Sequence, residues 1–171
     1  DAYAFMVAWE AMALASYFLV TTEHRIPEIR RAGFLYLLIA HVGAIGILLC
    51  FGVLQGGSGD YTFAGMRAAT LSPAWASIGF FLALFGFGFK AGILPLHFWL
   101  PPAHAASPAH VSALMSGVLI KTGIYGILRV TSLVPDPPAV WGDVLLVLGV
   151  ASAVLGVAFA LGQHDLKRLL A

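Results

Sequence analysis

Three ionisable residues, Glu10, Lys90 and Lys121, lie well inside long apolar stretches of the sequence. A charge at the centre of a lipid bilayer costs roughly 2.5–3.5 kcal/mol on insertion scales. Such residues therefore face the interior of a helical bundle and usually serve ion or proton movement. Burial disfavours the charged form of each group and a partner of opposite charge restores it, so the three residues predict a proton-transfer path.

A static ion pair between Glu10 and one lysine, which would only fix helix packing, is the structural alternative. One acid cannot neutralise two ammonium groups, so pairing alone leaves one lysine neutral, hydrated or transiently charged. We predict that Glu10 and Lys90 face each other in the bundle, with their charged ends roughly 4–7 Å apart directly or through water.

Histidines provide further candidates, because imidazole exchanges protons near neutral pH. His41, His97 and His104 are predicted to line or extend the proton path, although each alone is equally compatible with a hydrogen-bonded structural role. A metal site is not predicted, since the spacings from His97 to His104 and on to His110 do not match a helical ligand pair. Cys50 is the single cysteine, so neither a disulfide nor a cysteine-based metal site is expected.

The composition is that of a membrane protein, with 60% hydrophobic residues, 10% charged residues and a mean hydropathy of +0.93. The net charge is only +1 and the basic residues are scattered, so nucleic-acid binding is not predicted. The sequence has no nucleophile elbow, phosphate loop, dinucleotide fingerprint or haem-attachment motif. We therefore predict no cofactor and no redox chemistry carried out by the chain itself.

Apolar windows between helix breakers predict an all-α integral membrane protein with about five spans. The predicted spans are residues 1–20, 32–54, 73–94, 108–134 and 139–162. Two of the starts have a local cause, because Ser72-Pro73 and Ser107-Pro108 each place a capping hydroxyl before a proline at the first helical position.

The predicted spans distribute basic side chains unequally between the two faces of the membrane. One face carries those of the 21–31 loop and of the tail after the last span: Arg25, Arg30, Arg31, Lys167 and Arg168. The opposite face carries Arg67 and Arg129. By the positive-inside rule, the first face is predicted to be cytoplasmic, together with the 95–107 connection.

The connection PLHFWLPPAHAAS (95–107) has no charged residue but three prolines and two histidines. Pro95 and Pro101 remove backbone donors and free carbonyls upstream, which membrane proteins tolerate only where protein or water satisfies those groups. We therefore predict that the third helix loses regular hydrogen bonding within residues 88–100. An ordinary interfacial connector anchored by Trp99 is the alternative.

The segment KAGILPLHFWLPPAHAASPAHVSALMSGVLIKTGIYGILR (90–129) resembles the signature region of antiporter-like proton-conducting subunits of complex I and related assemblies. Further similarity lies in residues 8–20, 32–49 and 163–171. Within that family, SPAHVSALMSG and the EHR element at 23–25 are most similar to the subfamily formed by the large membrane components of hydrogenase 4 and formate hydrogenlyase.

The resemblance implies a fold of two inverted five-helix repeats, of which residues 1–171 would form the end of the first and the start of the second. Both ends of the sequence also look internal to a longer protein. Glu10 would be the family's acid, Lys90 its partner on the discontinuous helix, and Lys121 the next relay lysine.

The function that the resemblance implies is proton translocation by a membrane subunit of a hydrogenase or complex I-type respiratory complex in the cell inner (plasma) membrane. Its expected partners are the other membrane and peripheral subunits and the lipid bilayer. A subunit of a multisubunit cation/proton antiporter is the alternative, because both use the same core. A structural scaffold, in which the charges only fix packing, is a third.

Overall fold

The computed structural model describes residues 1–165 and 169, and within them every regular element is helical. In chain order the helices are α1 (Ala2–Val20), α2 (Pro27–Leu54), α3 (Phe63–Ala68), α4 (Pro73–Ala91), α5 (Leu100–Ala106), α6 (Ala109–Leu114), a π-helical segment (Met115–Leu119), α7 (Ile120–Thr131) and α8 (Ala139–Leu161). Five are long and apolar enough to span a bilayer, counting the continuous rod Ala109–Thr131 as one. The prediction of five spans is therefore confirmed.

Of three predicted helix starts, one is confirmed and two differ from the prediction. The second span begins at Pro27, because proline at the first helical position starts the helix in the polar turn that precedes the apolar run. Ser72 caps α4 as predicted, its hydroxyl accepting from the Trp75 N–H at 3.4 Å. Ser107 instead donates to the His104 carbonyl at 3.2 Å, and α6 begins without a side-chain cap.

The predicted interruption of the third span is confirmed. Helix α4 ends at Ala91, and Gly92 takes the left-handed conformation (φ 68°) that glycine adopts without strain. Residues 92–99 then form turns, with a cis peptide bond before Pro95. Neither the short helix that follows, α5, nor the π-helical segment was predicted, because proline and glycine mark where a helix breaks and not how the chain continues.

Helix α4 packs between α2 and α7, and glycines set both contacts. A Cβ atom added at Gly86 would lie 2.6 Å from the Gly43 carbonyl oxygen and 2.8 Å from the Ile47 nitrogen. A Cβ added at Gly123 of α7 would lie 2.6 Å from the Ala91 nitrogen. Backbone-to-backbone packing of this kind needs small residues, as is common between membrane helices.

The start of α1, the 55–72 segment and the end of α7 meet at one end of the bundle. The Ala2 N–H donates to the Tyr61 carbonyl at 2.9 Å, and Arg67 donates to the Ser132 carbonyl at 3.2 Å. Arg129 lies over the Phe63 ring, 5.0 Å from its centroid. The prediction that Arg67 and Arg129 share a face is thus confirmed.

Two of the five basic residues predicted for the other face, Lys167 and Arg168, fall outside the described residues. The cytoplasmic assignment of that face stays a prediction.

Candidate functional site around Lys90

Lys90 is buried in the last turn of α4, with only 5% of its surface exposed. Its Nζ donates a hydrogen bond to the Tyr36 hydroxyl of α2 at 2.5 Å and lies 4.7 Å from the centre of the same ring. The carboxyl end of a helix carries partial negative charge, so the last turn of α4 favours an ammonium group. The carboxyl end of α4 and the Tyr36 hydroxyl together stabilise the Lys90 ammonium at membrane depth.

A small cavity of about 10 Å³ adjoins Lys90 and Tyr36. This volume is close to the minimum that admits one water molecule. Trp9, Phe89 and Trp99 contribute most of the bulky apolar wall around it. Lys90 is therefore held in a nearly dry setting, where a single hydrogen bond or charge has a larger effect than in water.

The backbone groups released at the helix break find protein partners. The Trp99 indole N–H donates to the Phe89 carbonyl at 2.7 Å, and the Leu94 N–H donates to the Ser152 hydroxyl of α8 at 3.1 Å. Trp99 is 2% exposed, with its ring centre 5.3 Å from that of Tyr36. The alternative of Trp99 as an interfacial anchor is therefore wrong, because the ring is packed inside the bundle.

Glu10 of α1 meets His41 of α2, with 3.5 Å between Oε2 and Nε2. The other nitrogen, His41 Nδ1, lies 2.8 Å from the Leu37 carbonyl, which can only accept, so Nδ1 carries a hydrogen. Nε2 of a neutral ring would then present a lone pair to the carboxylate. The contact is favourable only when one more proton is present, either on Nε2 or on Glu10.

Glu10 is the predicted partner of Lys90. Within residues 1–165 and 169, no ion pair of 4.0 Å or less joins them. The Glu10 carboxylate is nevertheless close enough to interact electrostatically with both Lys90 and Tyr36. One of its oxygens, Oε1, is buried without a hydrogen-bond partner. Direct or water-mediated contact of Glu10 with Lys90 stays a prediction.

Lys121 lies on the exposed face of α7 and not inside the described bundle. Gly123, two residues later, packs against α4, and two residues correspond to about 200° around a helix, so Lys121 points away from α4. The π-helical segment ends just before α7 and adds one residue to a turn, which rotates every following side chain. Sequence periodicity assumes a regular helix and could not show this rotation.

The two histidines of the connection occupy separate places. His104 is buried on α5, with Nδ1 2.5 Å from the Ser112 hydroxyl. In the part of the chain that the structure describes, its Nε2 has no hydrogen-bond partner. His97 stacks on Phe159 of α8 at 5.8 Å between ring centres. Its Nδ1 is buried and has no hydrogen-bond partner among the described residues, and the ring lines a cavity of about 290 Å³.

The six predicted residues thus form an inner group and outlying members. Glu10 contacts the half-exposed His41 and lies near the buried Lys90–Tyr36 pair, whereas the connection histidines and Lys121 stand apart. Within the described residues, no three His, Cys, Asp or Glu side chains are grouped closely enough to hold a metal ion.

Tyr36 is the main residue that sequence reasoning missed. The sequence offered one indication of its role, a single hydroxyl in the middle of the apolar run AGFLYLLIAH. A buried tyrosine hydroxyl needs a hydrogen-bond partner. Several other tyrosines in apolar sequence carry the same signal without such a partner. Only the packing of α2 on α4 singles out this one.

The chain is similar to components of hydrogenase, formate hydrogenlyase and NAD(P)H-quinone oxidoreductase. It is 48% identical to hydrogenase-4 component B of Escherichia coli (strain K12), over 100% of this chain and 26% of that protein. It is 37% identical to formate hydrogenlyase subunit 3 of the same organism, over 98% of this chain and 26% of that protein. NAD(P)H-quinone oxidoreductase chain 4 1 of Picosynechococcus sp. is 35% identical, over 100% of this chain and 32% of that protein.

Solved structures share the fold. A chain of respiratory complex I from Thermus thermophilus superposes with a TM-score of 0.81 at 30% identity, over 99% of this chain and 36% of that one. A chain of the membrane-bound sulfane sulfur reductase, an archaeal respiratory membrane complex, superposes with a TM-score of 0.88 at 24% identity, over the same shares. The latter likeness is one of fold alone.

The resemblance seen in residues 90–129 is confirmed over the whole chain. All of residues 1–171 match the family described as the transmembrane part of NADH:quinone oxidoreductase and Mrp antiporter proteins. The chain spans only 26% of the first relatives named above. It is a multi-pass protein of the cell inner (plasma) membrane and belongs to the NADH:quinone oxidoreductase/Mrp antiporter transmembrane family.

Proposed function

We propose that the chain is part of a proton-translocating membrane subunit of a hydrogenase or complex I-type respiratory complex. The observation that carries the proposal is Lys90, a buried amine at the end of an interrupted helix with a neutral phenol as its hydrogen-bond partner. A purely structural lysine is better stabilised by a carboxylate within contact distance. A neutral partner lets the amine bind and release a proton.

The proposed path joins the inner group of side chains. In this path Glu10 and His41 share one proton, and the charge of Glu10 acts on Lys90 through space. A proton added to the pair weakens the attraction for the Lys90 ammonium, which favours release of the Lys90 proton. Redox chemistry in other subunits would drive the change in charge, as the names of the relatives suggest.

We further propose that residues 1–171 form the end of one five-helix repeat and the start of the next. The exposed face of α7, which holds Lys121, would then be covered by the remainder of the subunit. The short share of each relative that the chain spans supports this proposal. Lys121 would receive a proton from Lys90 and pass it on, with His97 and His104 lining the route.

The proposed function is tested with the full-length protein in its assembled complex, reconstituted into liposomes. Redox turnover should acidify one side of the membrane, followed with a pH-sensitive dye, and an uncoupler should abolish the signal. Turnover without any uncoupler-sensitive proton movement contradicts the proposal. Co-purifying iron–sulfur or nickel–iron proteins support the respiratory assembly. Several small hydrophobic subunits without redox proteins indicate a cation/proton antiporter, which the family description also includes.

Replacing Lys121 by methionine should lower pumping strongly while the complex still assembles. The substitution removes a protonation site, and because Lys121 forms no ion pair with the described residues, it leaves no carboxylate among them without its partner. Redox turnover with an artificial electron acceptor should stay at the wild-type level. Wild-type pumping by an assembled Lys121→Met complex would leave Lys121 with a structural role only.

A further inference from the structure

Tyr36 is the one hydrogen-bond partner of Lys90 Nζ in the described part of the chain. We propose that Tyr36 is a positioning residue, which holds the Lys90 amine in one place through both protonation states. The proposal rests on the proposed function, because it assigns Tyr36 a role only if Lys90 exchanges protons. Its starting observation is a 2.5 Å contact between a buried amine and a tyrosine that is 2% exposed.

A phenol suits a group that gains and loses a proton. The oxygen accepts a hydrogen bond from the ammonium form of Lys90, and the O–H can turn to donate to the neutral amine. A carboxylate in the same place would accept from the ammonium but, while ionised, could offer the neutral amine no donor. Tyr36 can therefore keep Lys90 in contact throughout a cycle, whereas an ionised partner would fix only the charged form.

The structure fixes the phenol from several sides. Gly43 and Gly86 bring α2 and α4 into backbone contact beside it. Trp99 packs on the Tyr36 ring and donates to the carbonyl of Phe89, the residue that precedes Lys90. Trp99 thus contacts both the helix that carries Lys90 and the Tyr36 ring that binds it.

Other ionisable groups around Lys90 are placed differently. Glu10 on α1 contacts His41 on α2 and acts on the amine only through space. His104 on α5 is engaged with Ser112, and Lys121 on α7 points away. The Tyr36 hydroxyl also lies within hydrogen-bond reach of the Ser16 hydroxyl. Ser16 itself donates to the Met12 carbonyl of α1. Tyr36 is therefore placed to set the local preference of Lys90 for its proton.

The test is Tyr36→Phe in the full-length subunit within its complex. Loss of the oxygen takes a stronger hydrogen bond from the ammonium form than from the neutral amine. The high-pH limit of proton pumping should therefore move to lower pH by roughly one unit, the difference between a charged and a neutral hydrogen bond. Pumping at a fixed alkaline pH should fall, while redox turnover with an artificial acceptor stays unchanged. Tyr61→Phe, at the opposite end of the bundle, is the matched control and should leave the profile in place.

Combining Tyr36→Phe with Lys90→Met separates the two proposals. If Tyr36 acts through Lys90, the double variant pumps no less than Lys90→Met alone. A wild-type pH profile for Tyr36→Phe, with pumping lost in Lys90→Met, overturns the role of Tyr36 and leaves the proposed function standing. Unchanged pumping in both single variants overturns the proposed function itself.

A second pair of variants serves if Tyr36→Phe fails to assemble. The imidazole of Tyr36→His can still donate and accept hydrogen bonds, whereas the side chain of Tyr36→Leu can do neither. Faster pumping by Tyr36→His than by Tyr36→Leu at equal assembly supports the positioning role. Equal pumping by the two overturns it.

Discussion

Lys90→Met should reduce redox-driven proton pumping by roughly 10²-fold or more, the usual effect of removing a positioned proton-transfer group. Methionine keeps an unbranched chain of similar length in the space between α2 and α4, so packing should survive. The ammonium is lost, and the Tyr36 hydroxyl loses the donor that it has at 2.5 Å. Pumping is measured in liposomes by dye acidification, and redox turnover with an artificial acceptor should persist.

Two further variants serve as comparisons for Lys90→Met. Arg31→Gln removes an exposed basic residue at the start of α2 and should leave pumping unchanged. Lys90→Ala should also cost stability, because it empties space in the packed interior and takes away a positive charge that attracts Glu10. We expect Glu10 to respond by taking up a proton. An assembled Lys90→Met complex that pumps like the wild type would refute a proton-carrying role for Lys90.

Gly86→Ala should destabilise the subunit by about 1–3 kcal/mol, the range for overpacking a filled interior. The new Cβ would lie 2.6 Å from the Gly43 carbonyl oxygen and 2.8 Å from the Ile47 nitrogen. Both atoms belong to the backbone of α2, so no side chain can rotate aside and the two helices must separate. The loss should appear as a lower thermal midpoint and a lower yield of assembled complex.

Gly52→Ala is the matched control, since it lies on the same α2 that Gly86 contacts. A Cβ at Gly52 meets nothing within 4 Å, and alanine is the better helix former. Its stability should equal or slightly exceed that of the wild type. Equal stability of Gly86→Ala and Gly52→Ala would show that α2 and α4 are not in backbone contact.

Much of the fold could be predicted because its signals are local. Long apolar runs give the spans, and Ser72 with Pro73 gives the start of α4 through a cap and a fixed backbone angle. Gly92 and Pro95 mark the break, since one adopts a positive φ and the other lacks an N–H. The short helix α5 could not be predicted, because its conformation depends on what the broken chain packs against.

The inner site could be predicted only in part. Glu10 and Lys90 are conspicuous because charge in an apolar run needs a reason, whatever the surrounding fold. Their contacts are not local, however. In the structure Glu10 contacts His41, and Lys90 forms a hydrogen bond with Tyr36. Which of several polar side chains becomes a partner depends on the rotation and separation of two helices, and sequence periodicity does not report either quantity.

The sequence alone determined that this protein spans the membrane, that its third span is interrupted, and which ionisable groups need a function. Each of these follows from solvation of side chains or from the backbone chemistry of single residues. Tertiary structure decided that Tyr36 holds Lys90, through a hydrogen bond between residues 54 positions apart. It also decided that Lys121 faces away from α4, because the packing of α7 on α4 turns Gly123 toward α4 and Lys121 lies about 200° from it around the helix.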